Sequence, residues 1–256
     1  MLMKFMLAIL MTFLFLAPFF GNINFATAST NETYFDVDSS PYGKSYQDWM
    51  ADWWKWYVSV DKQHNPNFEG LVDDYQQVEC AYNQNSSSPV FHLWFINPDR
   101  GQIAEESCNV PAGKAIAVPI DLGLMDYHDP KVDVKTEDNI ARIVKESNIY
   151  PNEFDVTLDG TPLQFANDDS NRVTTGLFNV TLPENNIWYD EAVEDDPSVA
   201  DGWILLLNPL PSGEHVLKYT GGYRDHRSDP SIPVGQGNKD PYIQEVTYRL
   251  LVNSTL

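Results

Sequence analysis

Between positions 45 and 60 the chain carries Tyr46, Trp49, Met50, Trp53, Trp54, Trp56, Tyr57 and Val60. At about 100° per residue these fall on one arc of roughly 160° on a helix. Gln47, Asp48, Asp52, Lys55 and Ser59 occupy the other side, and only Val58 breaks the pattern. Ser45 and Asp48 stand at capping-box spacing, which marks the helix start. Each Trp or Tyr can bury about 150–250 Å², so a stripe this aromatic cannot stand in water. The rest of the chain must therefore supply a broad apolar surface, and a continuous helical stripe is the ordinary mark of a helix packed on such a surface. A sugar-stacking platform is the alternative reading. The expectation is core, with any Trp left exposed available to a glycan.

After this helix the hydrophobic period changes from helical to alternating. Residues 90–96 are apolar on both faces, as in a central strand, with His92 and Trp94 sharing a face. His92 is expected to be a hydrogen-bonded interior histidine. Residues 114–120 form another strand, whose Pro119 belongs at an edge or bulge. Residues 136–148 read as a short helix with Ile140, Ile143 and Val144 inward. Phe154, Val156 and Leu158 alternate with polar neighbours before the hairpin signal Asp159-Gly160. Phe178, Val180 and Leu182 alternate likewise, placing Asn179 on the solvent face. Residues 203–207 form a fully buried strand. Asn208-Pro209 and Pro211-Ser212-Gly213 turn it into 215–219. Val246, Tyr248, Leu250 and Val252 line a final strand. Seven or eight strands and two helices make a mainly β chain: a single β-sandwich, jelly-roll-like, with the aromatic helix and one short helix packed on it.

The N-terminus predicts export. One basic residue, Lys4, precedes an uncharged apolar run over 5–20, and Ala26-Thr27-Ala28 offers the small residues a signal peptidase accepts. The run is shorter than the ~20 residues that span a bilayer, and no later stretch is apolar enough to span. Residues 1–28 are therefore read as a signal peptide and 29–256 as one secreted or cell-envelope domain. The chain's two cysteines, Cys80 and Cys108, are expected to form a disulfide in such a compartment; a catalytic thiol is the sharper alternative. The net charge of −21 argues against nucleic acid or an anionic membrane as partner. Sequons begin at Asn31, Asn85, Asn179 and Asn253 and permit glycosylation where the host performs it.

Several segments carry a resemblance. They are Tyr42-Gly43-Lys44-Ser45-Tyr46 with Trp49 and Trp53-Trp54-Lys55-Trp56, Cys108-Asn109-Val110-Pro111-Ala112-Gly113-Lys114, and Phe178-Asn179-Val180-Thr181-Leu182-Pro183. Ser198-Val199-Ala200-Asp201-Gly202-Trp203 and Pro211-Ser212-Gly213-Glu214-His215 complete the set. Together they resemble a family of uncharacterised secreted proteins of archaea and bacteria. The resemblance implies export and a shared fold, and it transfers no catalytic residue. Residues 222–242 are longer here than in that family.

No G-x-S-x-G elbow, H-E-x-x-H, Walker loop or dinucleotide fingerprint is present. Three loops remain as candidates. Asp126, His128 and Asp129 offer carboxylates with an imidazole, a donor set for a divalent cation. Residues 183–202 hold seven acids and no base, which could gather calcium or simply be solvated. Tyr223, Arg224, His226 and Arg227 gather positive charge in an acidic chain, either to bind an anionic ligand group or to tether the acidic loop. The leading expectation is a non-catalytic extracellular domain binding a glycan or another envelope component. The alternative is an extracellular hydrolase or lyase using His128 or His226 with Asp/Glu neighbours, with or without a divalent cation such as calcium.

Overall fold

The computed structural model describes residues 33–65, 79–95, 103–147, 153–166, 168–223 and 242–253. The expected signal peptide and most of the basic loop at 222–242 lie outside them. Among the described residues no helix is long and apolar enough to cross a membrane.

The aromatic stripe forms α1 (Tyr46–Val58). Ser45 Oγ accepts from the Asp48 N–H, and the Asp48 carboxylate accepts from the Ser45 N–H, closing the expected capping box. A 3-10 turn over Pro41–Gly43 leads into it. Among the described residues the chain forms ten strands and a second helix. Residues β1 (Val90–His92), β3 (Ala115–Asp126), β6 (Val173–Thr174), β7 (Phe178–Leu182) and β8 (Val193–Leu207) form the first sheet. Its path is β1-β3-β8-β6, with β7 also paired to β8. The second sheet, in order β2-β10-β9-β4-β5, comprises β2 (Ile103–Pro111), β10 (Tyr242–Asn253), β9 (Gly213–Tyr223), β4 (Glu153–Leu158) and β5 (Thr161–Pro162). Both sheets are mixed, because β1 runs parallel to β3 and β2 runs parallel to β10.

Alternation sorts the layers, since successive side chains on a strand point to opposite faces. In the second sheet Ala104, Cys108, Val110, Leu217, Tyr219, Val246, Tyr248, Leu250 and Val252 are buried on the inner face. The outer face carries ion pairs such as Lys218–Glu245 and Arg249–Glu105. The first sheet is covered on both faces, and in β8 every residue from Ser198 to Leu207 is buried. One face of β8 carries Trp203, which meets Phe154 of the second sheet edge-on, and Val199, which packs under α2 (Glu137–Ser147) with Ile140 and Val144. α1 covers the other face, against β6, β7 and β8. One core cluster runs through both sheets and α1. The chain is thus mainly β, two packed sheets with two helices against them.

The edge of the sandwich is closed by aromatic rings and a staple. Trp53 is fully buried; its indole N–H donates to the Leu93 carbonyl at 2.9 Å, and it stacks on Tyr57. Trp56 packs on His92 and Trp94, and Tyr248 donates to the Trp94 carbonyl at 2.6 Å. Cys80 is bonded to Cys108 of β2. Gln84 donates to the Cys80 and His92 carbonyls and accepts from the His92 N–H. The 80–84 segment therefore ties β1 of one sheet to β2 of the other.

Three expectations need correction. The apolar run at 90–96 was expected to be central, yet β1 is an edge strand of its sheet; α1 and the 80–84 segment bury it instead. His92 is interior as expected, but its Nε2 has no hydrogen-bond partner, and burial lowers its pKa to about 4. The acidic stretch 183–202 is not the single loop its composition predicts. Its second half is strand, and Asp201 is fully buried, bonded to Arg172 Nε at 2.8 Å and to Thr174 Oγ1 at 2.6 Å. Pro119 sits at a bulge, as expected: the β3–β8 register shifts between Pro119 and Asp121.

Candidate functional site

Two of the three sequence-predicted loops meet at one end of the first sheet. β3 ends at Asp126, opposite Ser198 of β8, and the Tyr127 N–H donates to the Pro197 carbonyl at 3.1 Å. The hairpin connection from β7 to β8, residues 183–192, folds beside that end. Pairing of β3 with β8 therefore brings Asp126, His128 and Asp129 to Tyr189, Glu191 and Asp196.

The connection is organised by Asn186, which has no exposed surface. Its amide NH₂ donates to the carbonyls of Pro183 at 2.9 Å and Glu191 at 3.0 Å. Its side-chain oxygen accepts from the N–H groups of Trp188 at 3.0 Å and Tyr189 at 2.8 Å. All the hydrogen-bonding capacity of one buried amide is thus spent on shaping the loop. Lys62, just beyond α1, adds two anchors: its N–H donates to the Asn185 carbonyl, and its ammonium pairs with Asp190 at 2.9 Å.

What this rigid loop presents is Trp188. It is 40% exposed, while its neighbour Trp54 of α1 is buried, with ring centroids 6.3 Å apart. The Trp54 indole N–H, buried beneath, has no hydrogen-bond partner.

The next residue, Tyr189, reaches a carboxylate cluster at the end of β3 and β8. Asp126 and Asp196 are almost wholly buried. Asp126 Oδ1 accepts from the Asp129 N–H at 2.6 Å and lies 3.5 Å from the Tyr189 hydroxyl. The Asp196 Oδ2 is buried without a hydrogen-bond partner. Burial raises the pKa of Asp126, against the N–H groups of Asp129 and His128 that lower it. Burial also raises Asp196, and the charge of Asp126 adds to it. Tyr189 is pushed up by burial and then by the carboxylates of Asp126, Asp129 and Asp196. At the rim the exposed His128 ring packs edge-on against Tyr189, with Nε2 4.0 Å from Glu191 Oε1.

Comparison with protein-family models, curated proteins and solved structures returned no match.

Two of the sequence-predicted sets bear on this site differently. Asp126, His128 and Asp129 are neighbours, but no group of three His, Cys, Asp or Glu among the described residues is arranged to hold a metal ion. Asp126 spends one oxygen on its own turn. Tyr223 ends β9; Arg224, His226 and Arg227 lie outside the described residues. Trp188, Tyr189 and Asn186 were not singled out in the sequence. The signal available was a Trp-Tyr pair inside an otherwise acidic connection, which a purely solvated loop does not need.

Proposed function

We propose that the protein is a secreted or cell-envelope domain that binds a glycan at Trp188. The observation that carries this reading is a half-exposed Trp held rigid by a fully buried Asn. A sugar ring presents an apolar face that stacks on an aromatic ring, and stacking gains most when the ring need not be ordered on binding. Exposed Glu191, three residues further along the same connection, offers an acceptor for sugar hydroxyls. Export fits the Cys80–Cys108 disulfide, which persists best in an oxidising compartment. A glycan array with wild type and Trp188→Ala tests the reading. Wild type is expected to bind and the variant to lose binding with its melting curve intact; equal binding by both would overturn it. Mass spectrometry of the exported protein should find an N-terminus at or near Ser29, and intact Met1 would refute processing.

One observation favours a second reading, a glycoside-cleaving enzyme. Asp126 and Asp196 are both raised carboxyls close to His128, and a raised carboxyl beside an imidazole is equipment of general acid–base catalysis. Release of reducing ends from a bound glycan, abolished in Asp196→Asn, would replace binding with cleavage.

A further inference from the structure

We propose that His215 is a pH-operated latch on the crossover between the two sheets, closed while its ring is protonated and released when the ring loses a proton.

The chain leaves the first sheet at Leu207 and enters the second at Gly213. Gly213 makes the corner with φ 143°, a conformation that residues with a side chain rarely adopt. Two residues later the His215 ring lies against two oxygens. Its Nδ1 is 2.8 Å from Asp159 Oδ2, in the turn between β4 and β5, and its Nε2 is 2.9 Å from the Pro211 carbonyl of the crossover. The other Asp159 oxygen accepts from the Val216 N–H at 2.8 Å, and the Asp159 N–H donates to the Val216 carbonyl at 2.8 Å. Asp159 is therefore fixed to β9 whatever the state of the ring.

A carbonyl and an ionised carboxylate only accept hydrogen bonds, and a neutral imidazole carries one N–H. Only the imidazolium donates to both. When neutral, the ring keeps its proton on Nδ1, toward the carboxylate, and turns the Nε2 lone pair on the Pro211 carbonyl. Two facing acceptors repel, so the Pro211 side of the latch opens while the Asp159 side stays. Among the described residues Asp159 is the charged group that faces the ring. The cross-strand neighbour on β10 is the apolar Leu250, the crossover at 208–212 carries no titratable side chain, and Glu214 and Val216 alternate to the outer face.

Partial burial disfavours the imidazolium, but the Asp159 and Pro211 hydrogen bonds and the Asp159 charge outweigh it and raise the His215 pKa. Partial burial also disfavours the Asp159 carboxylate, and the His215 and Val216 hydrogen bonds with the His215 charge outweigh that and lower its pKa. The latch is closed between the two values. On the histidine side its stabilisation is fully present below about 6.5 and is lost as pH rises through the folded value. In stronger acid it is lost again as Asp159 takes up a proton.

The test is an NMR titration of the full chain from about pH 5 to about pH 9, across the range in which histidine changes charge. The His215 ring is assigned by the signal missing in His215→Gln. His215 is expected to titrate above about 6.5, and the Ser212 and Gly213 amide shifts should follow the same midpoint. Above that midpoint the ring ¹⁵N shifts should place the remaining proton on Nδ1. Asp159→Asn keeps a residue that tolerates the left-handed turn and an oxygen for the Val216 N–H, and it removes the charge. It should bring the midpoint down to about 6.5 or lower, with the Ser212 and Gly213 shifts moving along with it. A wild-type midpoint at or below about 6.5 would overturn the latch. So would a neutral ring protonated on Nε2, or Ser212 and Gly213 shifts that persist in His215→Gln.

Discussion

Trp53 shows why the aromatic stripe is core. It has no exposed surface, its N–H is used by Leu93, and its ring lies 4.8 Å from Tyr57 in a stack. Removing it empties a large site and leaves the Leu93 carbonyl without a donor. Trp53→Ala is therefore expected to cost about 3–5 kcal/mol, read from a urea or thermal melt. Trp188 should behave in the opposite way. Its ring is half in water, so Trp188→Ala should leave the melt within about 0.5 kcal/mol of wild type, as surface changes do. Asn186→Ala separates the loop from both. It takes away four hydrogen bonds of a buried amide, so loop order and glycan binding should fall together while Trp53 stays buried. Glycan affinity unchanged in Asn186→Ala would mean that Trp188 is not positioned by this clamp.

At the scale of elements, the staple between Cys80 and Cys108 closes 28 residues and ties the 80–84 segment to edge strand β2. Reduction should remove about 2–4 kcal/mol in the chain-entropy model, lowering the melting temperature by several degrees. Two titratable thiols in the native protein would contradict the pairing. Which elements were legible in the sequence follows from how they are covered. α1, β4, β7 and β10 show one face to the core and one to water or to a neighbour, so their periods of 3.6 and 2 stand out. β8 reads as apolar only over its last five residues, because its first part carries Glu194, Asp195 and Asp196 into the ladder. β2 was missed altogether. Its inner face runs Ala104, Glu106, Cys108, Val110, and a glutamate breaks the alternation where a hydrophobic residue is expected. Its partner, β10, lies at the far end of the chain. The site was half legible for the same reason. Asp126, His128 and Asp129 could be read as a donor cluster, but their meeting with Glu191 and Asp196 depends on the pairing of β3 with β8, which no local pattern encodes.

Taken as a whole molecule, the fold holds acids in surroundings that disfavour their charge, and this gives its stability a direction in pH. Glu106 faces inward on β2 opposite Tyr248, and burial pushes its carboxyl up to about 7. Asp121, beside the β3 bulge, is pushed up to about 7 by burial, with Arg172 pulling it down and Asp201 pushing it up. Asp126 and Asp196 are raised as well. An acid whose folded pKa is raised binds its proton more tightly in the native state. Its contribution is fully present below the unfolded carboxylate range and is lost as pH rises through the folded value. For Glu106 and Asp121 the window runs from about 4 to about 7, the ordinary carboxylate range to the folded values. Carboxylates such as Asp48 and Asp159 work the other way. They accept hydrogen bonds in the native state, their pKa values are lowered, and their contribution disappears as pH falls through the folded values. The melting temperature should therefore rise from pH 8 to pH 5.5 and drop again in stronger acid. General relief of the −21 charge acts in the same direction over the first interval, so the curve alone does not assign the cause. Glu106→Gln does. It removes one titrating group from the interior and one charge from the total, and it should stabilise the protein at pH 8 by about 1–3 kcal/mol while changing little at pH 5. Glu105→Gln, on the outer face of the same strand, removes the same charge and should leave the slope as it was. If the two variants flatten the pH profile equally, net charge rather than the buried carboxyl sets the acid preference of this fold.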